Sequence, residues 1–263
     1  MSPLESGQRR DHAVPSKAVH RALWAELAEA RRRAGDQPVR VLDVGGGSGA
    51  WAVPMARAGC LVSVVDTSPN ALAALRGRAR EAGVGAQVVA VQGDVHTLTE
   101  VVPADGADLV LGHGLLEVVD DVESAVGQLS AATVPGGVVS VLVAGRHGAV
   151  IAQAHAGRVS QARAVLTDPA GRTGRQDPLQ RRLSLATVRG LLESAGGLAI
   201  ELVQGDGVFD GWMPAAALSA DPEGLAELET AMASTPELLV LAARLHLLAR
   251  RPAPTQMSDP PIR

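Results

Sequence analysis

Residues Val41 to Gly49 read Val-Leu-Asp-Val-Gly-Gly-Gly-Ser-Gly, and a second apolar run, residues 60–65, ends at Asp66. An apolar run that stops in a glycine cluster predicts a buried strand feeding a tight turn, and a carboxylate closing the next run predicts a second strand beside it. A turn without Cβ atoms lets a ligand approach the backbone. A carboxylate at the end of the neighbouring strand can hold two vicinal ribose hydroxyls. The pairing therefore points to a nucleoside-containing cofactor.

Glycine turns also serve dinucleotides, whose fingerprint places glycines at relative positions one, three and six. Counted from Gly45, the glycines here are Gly45, Gly46, Gly47 and Gly49, and position six is Ala50. That fingerprint tolerates alanine there, so a nicotinamide-dependent oxidoreductase stays a weaker alternative. Asp43 discriminates further. It stands two residues ahead of the glycines, where it would repel a pyrophosphate and attract a cation. S-adenosylmethionine, with adenosine at one end and an ammonium and a sulfonium at the other, meets both requirements.

Strand and helix patterns alternate after this turn. Residues 15–33 repeat Val19, Leu23, Leu27 and Ala30 at helical spacing, with Gly35 as a stop. Strands are expected at 39–44, 61–65, 88–92, 107–112 and 138–144, with helices at 50–58, 68–82 and 122–132 between them. Alternation of this kind predicts a doubly wound α/β sheet, with ligands outside the carboxyl ends of its strands. Residues 146–177 show poor periodicity and read as a lid or insertion, followed by a helix at 184–194, a strand at 198–203, a helix at 225–233 and a final strand at 242–250. We expect one domain over 1–251, including an N-terminal helical extension at 1–36 and a lid at 146–182, and a disordered tail at 252–263.

Several motifs in order make the chain resemble the class I S-adenosylmethionine-dependent methyltransferases. They are the Asp-x-Gly-Gly-Gly-x-Gly turn, Asp66, Gly93-Asp94-Val95 after the third apolar run, and Pro135-Gly136-Gly137 before the fifth. The resemblance implies a seven-stranded, mostly parallel sheet with an antiparallel last strand. It also implies a cofactor site made of Asp43, Gly45, Gly46, Gly47, Gly49, Asp66, Thr67, Asp94 and Val95, in which Asp66 holds the ribose and Asp94 lies beside the adenine amino group. His113, at the carboxyl end of the fourth strand, is placed to contact cofactor or acceptor. Glu117 reads equally as a site residue or a surface carboxylate, and His96 as a surface residue.

Downstream, Leu115-Leu116-Glu117, Gly207-Val208-Phe209-Asp210-Gly211-Trp212 and the stretch from Leu228 to Pro252 resemble the bacterial methyltransferases that esterify 5-carboxymethoxyuridine at the tRNA wobble position. That likeness implies acceptor contacts from Phe209, Trp212, Arg244 and His246, and a cofactor contact from an N-terminal helix arginine, for which Arg21 is the nearest candidate. Arg244 stands where the family has tyrosine, and the family's lysine-rich lid is replaced by arginines. Two acceptor classes therefore stay open, a tRNA and a small-molecule metabolite, beside a non-catalytic cofactor-binding protein on the same fold.

Bulk properties set further limits. Methyl transfer is an in-line displacement in which alignment and water exclusion dominate, so no catalytic side chain is required. No His, Asp or Glu group has metal-ligand spacing, and one cysteine, Cys60, in an apolar run reads as packing. No stretch is long and apolar enough for a membrane span, which makes a cytoplasmic protein the simple expectation. The net charge of -4 gives no general attraction to nucleic acid, but residues 146–182 hold seven arginines against Asp168 and Asp177. Those arginines read either as a solvated loop or as a phosphate-tracking surface.

Overall fold

β-branched and leucine-rich runs form the strands, and their period of two divides each strand between two packing faces. In a computed structural model, which describes residues 17–103, 106–210, 213 and 220–253, seven strands form one sheet in the order β3-β2-β1-β4-β5-β7-β6. They are β1 (Arg40–Val44), β2 (Leu61–Asp66), β3 (Val88–Gln92), β4 (Ala107–His113), β5 (Thr133–Ala144), β6 (Ala199–Asp206) and β7 (Arg244–Arg250). Neighbours from β3 to β5 pair in parallel, while β7 runs antiparallel to both β5 and β6. The chain reverses strand order between β1 and β4, where a doubly wound sheet opens a crevice.

Helices cover both faces. One core joins Leu42, Val44, Val65, Val110, Val139, Val141 and Leu247 to α5 (Val122–Ala132) and α8 (Leu185–Gly190). The other joins Val41, Val62, Val64, Leu109, Leu111, Leu142 and Leu248 to α1 (Lys17–Ala34), α2 (Ala52–Arg57) and α3 (Pro69–Glu81). With so few aromatics, aliphatic residues carry this packing; each buried Leu or Val contributes about 2 kcal/mol relative to exposure.

Local signals place the helix ends. Ser68 accepts a hydrogen bond from the Ala71 amide and Pro69 opens α3; Asp121 accepts from the Ser124 amide and opens α5. Gly35, at φ 59°, ends α1 and returns its amide to the Arg31 carbonyl. Val19, Leu23, Leu27 and Ala30 are all fully buried, as their spacing requires.

Three expectations are modified. Residues 146–182 contain two helices, α6 (Arg146–His155) and α7 (Val159–Thr167), whose alanines and glutamines favour helix and whose Ala162 and Val165 are buried. β5 begins at Thr133, ahead of the Pro135-Gly136-Gly137 motif, because Thr133 pairs with Ala107 before a register shift. The helix after Ser184 widens into a π-turn over Leu191–Ala195. The described residues also include α4 (Leu98–Val101), α9 (Pro222–Ser234) and α10 (Pro236–Leu239). Residues 1–16 of the expected N-terminal extension and 254–263 of the expected tail lie outside the described residues.

Arg250 of β7 fastens α1 to the sheet. It donates to both oxygens of the nearly buried Glu26, to Glu201 of β6 and to the Gly136 carbonyl. Replacing Arg250 with Ala leaves Glu26 with Arg33 alone, and we expect a loss of about 2–4 kcal/mol in urea unfolding. Glu201→Ala, which removes only an exposed partner, should cost under about 1 kcal/mol in the same measurement.

Candidate active site

The turn after β1 is shaped by two carboxylates. Gly45, Gly47 and Gly49 take φ values of 73°, 55° and 84°, which glycine adopts without a steric cost. The Gly45 amide bonds the Val65 carbonyl at 2.7 Å. Asp66 accepts the Gly47 amide through Oδ2 at 2.9 Å and the Ser68 amide through Oδ1 at 2.8 Å, tying the turn to the end of β2. A Cβ on Gly46 would collide with the Asp43 carboxyl, and one on Gly49 with Leu75. Gly46 and Gly49 therefore answer a close neighbour, while Gly45 and Gly47 answer the backbone conformation alone.

Asp43 lies 2% exposed at the floor of the turn, and its Oδ2 has no hydrogen-bond partner. Burial pushes its pKa up to about 7, with the nearby negative charge of Asp66 acting in the same direction. A cation placed above the turn would satisfy that oxygen and restore its ionised form.

A cleft of about 900 Å³ opens over the turn. Its walls include Gly45, Gly47, Asp66, Thr67, Asp94 and Val95 from the expected set. Gly46 and Gly49 are not among the lining residues and close the turn through the Gly49 amide, which donates to the Gly46 carbonyl at 3.0 Å. Asp94 is exposed and caps the short 3-10 turn Val95–Thr97 by accepting the His96 amide. His96 itself lines the cleft, as do Leu115, Val119 and Gln180, which sequence reasoning did not select. The signal for His96 was its place two residues after Asp94; Gln180 had none, because it comes from a segment far away in the chain.

Arg21 is placed elsewhere. It lines a second hollow of about 560 Å³ between α1 and the β6–β7 hairpin, together with Glu26, Glu29, Arg32 and Gln204. It is not among the residues lining the glycine-turn cleft. Trp212 lies outside the described residues.

His113, Ser140, His246 and Gln204 form a buried polar seam beside the cleft. Ser140 Oγ lies 2.8 Å from His113 Nε2 and 2.9 Å from His246 Nε2, and Gln204 Nε2 lies 2.8 Å from His246 Nδ1. Burial drives the His113 pKa well below the usual histidine range and lowers that of His246 to about 4. Both rings are therefore neutral at pH 7. Trp51 meets the His113 ring edge-on at 5.5 Å between centroids, and also approaches the stacked pair His20 and Trp24.

The remaining acceptor candidates gather at the start of β7 and the end of β6. Arg244 is bonded to Asp206 and, at 3.2 Å, to Asp210, while Phe209 is 4% exposed and packs with Val208, Ala233 and Ala242. Glu117 is no surface carboxylate. It is 6% exposed, and its Oε1 accepts the Ala144 amide at 2.8 Å.

Three of the seven arginines of residues 146–182 are engaged internally. Arg146 donates to the Val165, Leu166, Asp168 and Pro169 carbonyls at the end of α7, and Arg181 to the carbonyls of Leu116, Val119 and Asp120. Arg182 pairs with Asp177, whose pKa falls to about 2 even though desolvation opposes the shift, because arginine and backbone amides donate to it. Arg158, Arg163, Arg172 and Arg175 face outward.

A parallel sheet with this switch point, a glycine turn over a buried carboxylate, and Asp66 and Asp94 on the cleft walls define a class I S-adenosylmethionine-dependent methyltransferase, and the chain belongs to that family. Residues 41–137 match the family model described as a methyltransferase domain. Over 238 residues the chain is 30% identical to the tRNA 5-carboxymethoxyuridine methyltransferase of Escherichia coli K12, covering 88% of this chain and 87% of that protein. A ubiquinone biosynthesis O-methyltransferase from Methylobacterium is 32% identical over 140 residues, 48% of this chain and 54% of its own. Among solved structures, an S-adenosylmethionine-dependent methyltransferase from Mesorhizobium loti shares the fold, with a TM-score of 0.54 and 24% identity over 88% of this chain and 98% of that one.

The residues fit the cofactor. The orphaned Asp43 oxygen suits its positive charge, the glycines leave room for its approach, and Asp66 retains lone pairs for the ribose. The sign of the pH effect follows. Free Asp43 holds its proton up to about pH 7, and a cation favours the ionised form, so affinity rises as pH passes upward through that value. Calorimetry should therefore show S-adenosylmethionine binding more tightly at about pH 8 than at about pH 6. The change should be smaller for uncharged-sulfur S-adenosylhomocysteine, and Asp43→Asn should abolish it.

Proposed function

We propose that the protein uses S-adenosylmethionine to methylate a carboxylate on a modified wobble uridine of tRNA. The observation that carries this reading is the extent of the match to the tRNA-modifying relative, which spans 88% of the chain and so goes well beyond the glycine turn and the methyltransferase-domain match over residues 41–137. The match to the ubiquinone-pathway relative spans 48%.

The chemistry of the site supports the same acceptor. A carboxylate is ionised at neutral pH and attacks without a base, and both buried histidines are neutral there. When bound, S-adenosylmethionine supplies a methyl group on a positively charged sulfur. The chain's own contribution is alignment and exclusion of water: Asp43 balances charge, Asp66 and Asp94 hold the nucleoside end, and Leu115 and Val119 wall the cleft.

A small-molecule acceptor is the second reading, favoured by one observation: Arg146, Arg181 and Arg182 are spent on internal carbonyls and Asp177, leaving fewer cations for a nucleic-acid backbone. A labelled methyl donor given to fractionated extract separates the two. Label is expected in tRNA and should leave as methanol under mild base, as an ester requires. Label confined to small molecules would transfer the assignment to the second reading. Exposed Arg163 and Arg175 replaced together by Ala should raise the KM for tRNA about tenfold at moderate salt with little change in kcat.

A further inference from the structure

His113, Leu142, His246 and Gln204 stand in one row across β4, β5, β7 and β6, with Ser140 two residues before Leu142 on the same face. The hydrogen bonds along this row have a direction. The Gln204 amide nitrogen can only donate, so His246 Nδ1 accepts from it. A neutral imidazole carries one hydrogen, which places that of His246 on Nε2, donating to Ser140 Oγ. Among the described residues, His113 Nε2 is the acceptor within reach of the Ser140 hydroxyl. Nε2 of His113 thus accepts, and its hydrogen sits on Nδ1. That nitrogen is buried and has no hydrogen-bond partner.

The orphan nitrogen belongs to a ring beside the cleft. His113 ends β4, two residues beyond Leu111, the β-pair of Asp43, and the next residues, Gly114 and Leu115, line the cleft. Trp51, just after the glycine turn, and His246 both pack against the ring in T-shaped contacts. A buried N–H without an acceptor costs about 1–3 kcal/mol, a cost recovered when an incoming oxygen accepts it.

We propose that Gln204, His246 and Ser140 form a positioning chain that holds His113 as its Nδ1–H tautomer, a neutral donor for an oxygen of the methyl acceptor. The proposal rests on the carboxylate-methylation reading and supplies its selectivity. An Nδ1–H has no free lone pair and removes no proton, so the site serves an acceptor that arrives deprotonated. A phenol or ammonium acceptor, which must lose a proton, finds no base in this ring. One oxygen of the carboxylate accepts from Nδ1 while the other attacks the methyl carbon; the carbon–sulfur bond breaks and its electron pair stays on sulfur as the neutral thioether.

The test begins with the tautomer, which needs no acceptor. Long-range proton–nitrogen correlation spectra of nitrogen-15-histidine-labelled protein should show His113 with a pyrrole-like Nδ1 and a pyridine-like Nε2. Gln204→Glu, measured at about pH 8 where the carboxylate can only accept from His246 Nδ1, should reverse the assignment at both histidines. Ser140→Ala should break the link between the rings. It should raise the acceptor KM or lower kcat/KM by about tenfold, while S-adenosylhomocysteine affinity changes by less than about twofold. An Nε2–H tautomer in the unaltered protein overturns the proposal even if tRNA is methylated. So does a tautomer that Gln204→Glu leaves unchanged, or a Ser140→Ala defect that falls on the cofactor alone. Correct tautomers with no transfer to any carboxylate acceptor would instead sink the functional reading and leave no acceptor for the donor to select.

Discussion

Two carboxylates at the ends of neighbouring strands, both against one glycine turn, govern the site. Asp66 holds the turn down through the Gly47 and Ser68 amides, while Asp43 fills the space where a side chain on Gly46 would lie. Neither arrangement is comfortable alone, since burial and mutual repulsion keep Asp43 protonated up to about pH 7. The pair becomes favourable when positive charge arrives. The ligand is thus part of the electrostatic design of the turn, and the strands on either side fix the carboxylates at the separation that makes it so.

The same face of the sheet carries every other polar group that matters. Asp43, Asp66, His113, Ser140, His246 and Gln204 share the parity that faces α1, α2 and α3, whereas the opposite face of these strands packs apolar residues against α5 and α8. Period-two alternation therefore separates two tasks. One face supplies cohesion through Val, Leu and Ala, and the other concentrates polar chemistry near the strand ends, beneath Trp51. Apart from Asp43 Oδ2 and His113 Nδ1, the buried polar atoms of that face are linked along a continuous chain from His113 through Ser140 and His246 to Gln204, which limits the cost of placing them in the core.

The cofactor half was largely readable from the residues in order. The strands at 61–65 and 88–92, the helix at 122–132, and the glycine turn announced themselves through apolar runs, caps and positive-φ glycines. The polar seam was less so, for a physical reason: its contacts join segments distant in sequence. Ser140 and Gln204 are single polar residues inside apolar runs, and only the register of β5, β6 and β7 reveals that both meet His246. Arg21 was selected by its place on the first helix, but the helix's rotation turns it toward the hollow shared with Gln204. The arginines of 146–182 looked like a charge run, yet Arg146 caps the end of α7, because helix ends leave carbonyls that a guanidinium can satisfy.

Gly145 and Gly148 bring α6 against the backbone at Leu241, Ala242 and Ala243, closer than any side chain would permit, and the Gly145 amide bonds the Ala243 carbonyl. Arg244 follows at once, held by Asp206 and Asp210. The helical pair α6–α7 and the root of the β6–β7 hairpin are thereby geared together. A Cβ at Gly145 or Gly148 would meet the Ala242 carbonyl, so even an alanine at either position would have to force α6 away from the segment that opens β7.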